Sequence, residues 1–191
     1  SSSNNFADFC SIARIKGYTI TNKIDAEKII SSKLISPGFR IIAISQRMFK
    51  DEIITPDKLI YVNNENDVFQ YTEGDDVTVV CFNFSFSYGQ QIVDELNNNN
   101  LKCSLFNVNS STPTNWTKII DNVSKTKKII IIDDSKSENL NFYALLNDIS
   151  NKVILDKKII LKRNLENTDW LNPVDDQMEI NFQQIVNDLI E

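Results

Sequence analysis

The sequence predicts an α/β fold, a three-layer domain with a mostly parallel sheet covered by helices, preceded by a partial β-α-β unit. Three observations carry this expectation. From residue 77 onward, strand-like and helix-like segments alternate regularly over ~110 residues. The strand segments are unbroken apolar runs, Ile129-Ile130-Ile131-Ile132 above all. A strand without polar alternation is covered on both faces, as parallel strands are. Ahead of residue 46, a β-prone segment, a helix-spaced segment and a second apolar run follow one another across Pro37-Gly38.

Taken in chain order, residues 5–15 suit a short helix. Tyr18, Thr19, Ile20 and Thr21 favour a strand over 17–21. Asp25 reads as the N-cap of a helix over 25–35, where Ile29, Ile30 and Leu34 recur at helical spacing. Pro37-Gly38 stops it, and Ile41 to Ile44 form a buried strand within 39–45. These elements make the first unit, residues 1–45. Residues 46–76 change character: a linker with two short β-prone pieces, 58–62 and 67–72, the material of a hairpin, closed by the turn Glu73-Gly74-Asp75-Asp76. The third unit, 77–191, has strands at 77–84, 102–108, 127–133 and 157–163. Its helices are expected at 87–99, at 114–125 after Pro113, at 140–151 and at 180–190. Ile92, Val93 and Leu96 mark the inward side of the first, and Trp116, Ile119, Ile120 and Val123 that of the second. The four-asparagine run 97–100 is a loop.

Composition removes several function classes. At 191 residues with 41% hydrophobic and 24% charged residues, the chain is an ordinary globular one. Its formal charge of −6 and scattered Lys and Arg argue against nucleic-acid binding, which calls for a clustered basic face. No apolar run approaches the ~20 residues that span a bilayer. The first residues, Ser1 to Asn5, carry no signal-peptide features, so the expected setting is the cytoplasm, or an organelle matrix in a eukaryote. The absence of an initiating Met points to a piece trimmed from a longer chain. Cys10, Cys81 and Cys103 are odd in number and lack C-x-x-C spacing, which reads as reduced buried thiols. The chain contains no histidine, which removes Ser-His-Asp and Cys-His catalysis and most zinc sites together.

The remaining candidates are few. Asp133-Asp134 ends a strand of the parallel sheet, where open α/β sheets place ligands. Adjacent strand residues point to opposite faces, so the two carboxylates do not easily share one substrate. Metal binding there needs further oxygens that the sequence does not identify. The structural alternative is a strand end in which one Asp accepts from backbone N–H groups of the next segment. No phosphate-binding glycine motif is present, and the helix start near Ser87 is only a loose analogue of one. Arg47 follows the strand 39–45, where a guanidinium can hold a carboxylate or phosphate, or form a salt bridge. Phe82, Phe84, Phe86 and Tyr88 read as core or subunit interface.

In order, Glu73-Gly74-Asp76-Val77-Thr78, Pro113, Lys125-Thr126 and Ile130 to Asp134 resemble landmarks of the carboxy-terminal domain of the transketolase-like thiamine diphosphate enzymes. The flavour is closest to the β subunit of the 2-oxo acid dehydrogenases, with transketolase itself next. Upstream, residues 11–30 are similar to the family's segment I-P-G-x-x-V-x-x-P-x-D-A-x-x-L. Ile44-Ser45-Gln46-Arg47-Met48-Phe49 resembles the strand exit carrying K-R-L-Y in dehydrogenase β subunits and S-R-Q in transketolases. The resemblance implies the terminal part of a pyrimidine-binding domain (1–45), a linker (46–76) and a carboxy-terminal domain that builds the dimer. In dehydrogenase complexes that domain docks the acyltransferase core.

The resemblance further implies thiamine diphosphate and Mg²⁺ in the assembled enzyme, bound between this chain and a complementary subunit or second protomer carrying a G-D-G…N diphosphate-binding domain. The chain lacks G-D-G, and the functional histidine that the family places just before the 11–15 segment is missing. Residues 135–142 replace the family's Gly-rich stretch. The expectation is therefore a chain inactive alone, without catalytic, cofactor or metal residues of its own, whose Arg47 contacts substrate in the assembly. The rival expectations are a non-catalytic interaction module or pseudoenzyme subunit, and a flavodoxin-like small-ligand domain.

Overall fold

The computed structural model describes residues 5–49, 54–111, 114–137, 140–163 and 178–190. Pro113, residues 164–177 and Ser1 to Asn4, all of which carried sequence expectations, lie outside them.

The first unit begins with α1 (Phe6–Ala13) and β1 (Lys16–Ile20), continues through α2 (Lys23–Lys33) and ends with β2 (Arg40–Ile44). The β1 and β2 strands pair in parallel, Lys16 opposite Arg40 and Ile20 opposite Ile44. The cap of α2 is not Asp25. Asn22 holds extended backbone angles and its side chain accepts from the Ile24 and Asp25 amides, while Asp25, at the third helical position, accepts from the Asn22 amide. This is a capping box, a reciprocal pair that satisfies two otherwise orphaned donors. A one-turn 3-10 segment, Gln46–Phe49, follows β2.

The β-prone pieces of 46–76 are β3 (Tyr61–Val62) and β4 (Val68–Gln70), an antiparallel hairpin. It is no free-standing appendage, because β4 pairs antiparallel with a central strand of the main sheet. Along the remaining chain come β5 (Val77–Phe82), α3 (Phe86–Asn98), β6 (Cys103–Val108), α4 (Thr117–Thr126), β7 (Lys128–Asp133), α5 (Phe142–Ser150), β8 (Lys157–Lys162) and α6 (Phe182–Ile190). The six strands order as β3-β4-β6-β5-β7-β8, and the last four run parallel.

The pleat divides the core cleanly. Val79, Cys81, Ile130 and Ile132 pack with α3 and α6, while Val80, Phe82, Ile129 and Ile131 pack with α4 and α5. All eight are at most 1% exposed, which explains why the Ile run shows no polar alternation. The edge strand β8 carries Lys157, Lys158 and Lys162, charges that blunt a sheet edge against pairing with other chains. Gly74 lets the β4–β5 turn lie directly on the β6 backbone, since a Cβ there would stand 2.3–2.5 Å from Lys102 and Cys103 main-chain atoms. Backbone cannot yield as a side chain does, so Gly74→Ala is expected to cost about 1–3 kcal/mol, read as a lowered urea midpoint at unchanged slope.

Backbone bonds from β1 join the β-α-β unit to the segment leaving β6. The Thr19 amide donates to the Asn109 carbonyl at 2.7 Å and the Ser111 amide to the Gly17 carbonyl at 3.0 Å, so β1 runs antiparallel beside the segment leaving β6.

Candidate functional site

The chain leaves β5 to form β6 on one side, then returns past β5 to form β7 on the other. That reversal opens a crevice at the carboxyl ends of β5 and β7, the usual ligand position of open α/β sheets. Asn83, Phe84 and Ser85 lie there after β5, and Asp133, Asp134 and Ser135 at the end of β7.

The two aspartates diverge as the pleat requires. Asp134 faces α3 and the segment after β2. One of its oxygens accepts from the Phe84 amide (2.9 Å) and the Asn83 side chain (3.1 Å), and the other pairs with the Arg47 guanidinium at 2.5 Å. Asp134 thus sits where an anion near the start of α3 would sit, so the protein fills that position with its own carboxylate. Ser85 closes the same loop, its one hydroxyl proton shared between the Phe82 and Ile132 carbonyls at 2.7 and 2.9 Å. The Arg163 guanidinium donates to the Asp134 carbonyl at 2.8 Å.

Arg47, the residue expected to contact substrate, is therefore engaged by Asp134 and also donates to Ser45 and Tyr88. Its side chain is 24% exposed and Asp134 is fully buried. Removing the acid leaves a charge and an amide without their acceptor, so Asp134→Ala is expected to cost about 3–5 kcal/mol. A double-mutant cycle with Arg47→Met, followed by urea unfolding, should give a coupling of about 1–3 kcal/mol.

Asp133 turns to the α4–α5 face. One oxygen accepts from the Ser135 amide at 2.9 Å, the backbone role foreseen for one of the pair. Burial pushes its carboxyl from 3.8 up to about 7; the Ser135 amide pulls it down and the Asp134 charge pushes it further up. It lines a narrow cleft with Thr19, Asn83, Ser110, Ser111 and Asn141, against the start of α1.

A third group of polar residues, at the junction of the two sheets, escaped the sequence reading. Asp25 is fully buried and accepts from the Thr21 amide and hydroxyl, from the Asn22 amide and side chain, and from Asn109 at 2.7 Å. Asn107 donates to Thr21 at 2.9 Å, and Asn22 to the Tyr71 hydroxyl at 2.8 Å. Burial pushes the Asp25 carboxyl up, while the Thr21, Asn109 and Asn22 donors pull it back. A signal was present: Asn107 and Asn109 interrupt the end of an otherwise apolar strand on one face, which no solvent-exposed strand end requires.

The cysteines are all free and buried, and burial raises the Cys81 thiol strongly and the Cys103 thiol to about 12. Phe82 and Phe86 are core residues on opposite faces of the sheet, Phe86 packing on Tyr71 at 4.7 Å. No described helix is long and apolar enough to cross a membrane.

This is an α/β domain with a mostly parallel sheet of the kind found in transketolase carboxy-terminal domains. A split-gene transketolase, described as an inactive beta4 tetramer, superposes with a TM-score of 0.61 at 10% identity, over 92% of this chain and 56% of that one. A Pichia stipitis transketolase variant gives 0.55 at 12% identity over 82% of this chain, and the Campylobacter jejuni enzyme 0.51 at 9% over 75%. The chain spans 22% and 21% of those two. No protein-family model and no curated protein matches the sequence. At such identities the likeness defines the fold.

Proposed function

We propose that this chain is the carboxy-terminal portion of a thiamine diphosphate-dependent enzyme, a transketolase or a 2-oxo acid dehydrogenase β-type subunit, serving dimerisation and partner docking. Residues 1–45 are the end of a pyrimidine-binding domain, 46–76 the connection and 77–191 the carboxy-terminal domain. The observation that carries this reading is the open state of the first unit. Two paired strands and two helices make no closed core, and seven of the ten exposed large apolar side chains among the described residues fall between Phe9 and Ile44. Ile35 and Phe39 are each 92% exposed. A surface of that kind calls for further protein against it. The split-gene neighbour supports a complementary chain as the source of that protein.

Among the described residues, no three acidic or thiol side chains gather to hold a metal, and no glycine run opens a helix. The diphosphate and its Mg²⁺ are assigned to the partner's G-D-G…N domain. Arg47 is assigned to the substrate's anionic group in the assembled enzyme, in exchange for Asp134. Such an assembly works in the cytoplasm, or in the matrix of an organelle in a eukaryote.

Isothermal titration tests the reading. Thiamine diphosphate with Mg²⁺ should give no heat with this chain alone and saturable binding once a G-D-G…N chain is added. Binding by the chain alone, or none with any such partner, overturns it; the second result favours a non-catalytic interaction module. Capture of an acyltransferase core by the assembled complex would select the dehydrogenase branch.

A further inference from the structure

We propose that the cleft lined by Asp133 binds a monovalent cation, Na⁺ or K⁺, held by the Asp133 carboxylate and the hydroxyl and carboxamide oxygens around it. This site lies on the opposite face of β7 from the Arg47–Asp134 pair and does not depend on the enzymatic reading above.

Asp133 is 2% exposed, and among the described residues one carboxylate oxygen accepts from the Ser135 amide. The other oxygen has no hydrogen-bond partner among the described residues. Buried carboxylates are ordinarily paired with a cation or accept several donors, as Asp134 and Asp25 both do. A second residue of the same cleft carries an unsatisfied polar atom. The Ser111 hydroxyl lines the cleft, is shielded from solvent and has no hydrogen-bond partner. Buried polar atoms of this kind are filled in native proteins by an ordered water or an ion.

The chemistry of the walls narrows the choice. Thr19, Ser110, Ser111 and Ser135 bring hydroxyls, Asn83 and Asn141 bring carboxamides, and among the described residues no Lys or Arg lines the cleft. This is a hard oxygen donor set with one negative charge. Ca²⁺ takes six to eight oxygens, commonly several carboxylates, and Mg²⁺ keeps much of its water shell. The free space admits about one water-sized occupant, too little for a hydrated divalent ion. A dehydrated monovalent cation matches both the charge and the size. The start of α1 also borders the cleft, and Asp8 in its first turn offsets the positive end of that helix.

Thermal unfolding at constant ionic strength in sodium, potassium or choline chloride tests the site. Na⁺ or K⁺ should raise the melting temperature by a few degrees in a saturable manner, because the ion binds the folded state only, and choline should not. Asp133→Asn should abolish the difference between salts and Ser111→Ala should weaken it, while the exposed Asp121→Asn should retain it. Crystals soaked in thallium(I) should show an anomalous peak beside Asp133, a readout that requires no variant to fold. Equal melting in the three salts, a salt difference that survives Asp133→Asn, or a cleft holding only water in the thallium crystals overturns the proposal.

Discussion

Replacing Asp25 by Ala is expected to destabilise the protein by about 3–5 kcal/mol, as much as the loss of Asp134. The carboxylate accepts from two backbone amides and from the side chains of Thr21, Asn22 and Asn109, all within a fully buried pocket. Truncation removes half of the α2 capping box, worth about 1 kcal/mol by itself, and leaves several buried donors without an acceptor at roughly 1–3 kcal/mol each. Relaxation around the gap keeps the total below the sum. Asp25→Asn keeps one oxygen but turns an NH₂ group towards existing donors, and should cost about half as much. The loss is expected to be spatially uneven. Thr21, Asn22 and Asp25 belong to the first unit, while Asn107 and Asn109 belong to the main sheet, so the network joins the two. Hydrogen exchange of Asp25→Ala should therefore show β1 and β2 losing protection before β5, β6 and β7. Uniform loss across both sheets would show that the network caps α2 without joining the units.

The second large effect concerns pH. Asp133 titrates from about 3.8 in the unfolded chain to about 7 when folded. Between those values the folded protein holds a proton that the unfolded chain has already released. Folding stability contributed by this group is therefore full below pH ~4, falls as pH rises, and is gone above pH ~7. A gap of this size corresponds to at most about 4 kcal/mol. Asp25 acts in the same direction, since burial also raises its carboxyl. Urea unfolding in choline chloride at pH 5 and pH 8 should show wild type losing stability with rising pH. Asp133→Asn should lose much less, and at pH 8 should exceed wild type in stability. An equal pH slope in the two proteins would mean that Asp133 stays ionised in the fold.

Local chemistry made most of the elements legible. Four consecutive isoleucines have one stable use in a soluble chain, a strand covered on both faces, and Ile129 to Ile132 are all fully buried in β7. Helical spacing located α3 and α4 within one to three residues of their observed starts, because an amphipathic face is written into the chain itself. The divergence of Asp133 and Asp134 was also legible, since it follows from the pleat alone. The cap of α2 was misplaced from Asn22 to Asp25 because both types cap helices. The choice between them lay in the backbone angles of Asn22 and in the partners awaiting Asp25.

What the sequence by itself determined is the set of elements, their apolar faces and the absence of histidine chemistry, all properties of short windows or of composition. Only the tertiary structure decided that β4 joins the main sheet, that Arg47 closes on Asp134, 87 residues away, and that Asp25 meets Asn109, 84 residues away. Those pairings depend on strand order and on which face a distant segment presents. No local propensity encodes either, because each is selected by the burial of the whole core and the need to satisfy every polar group trapped within it.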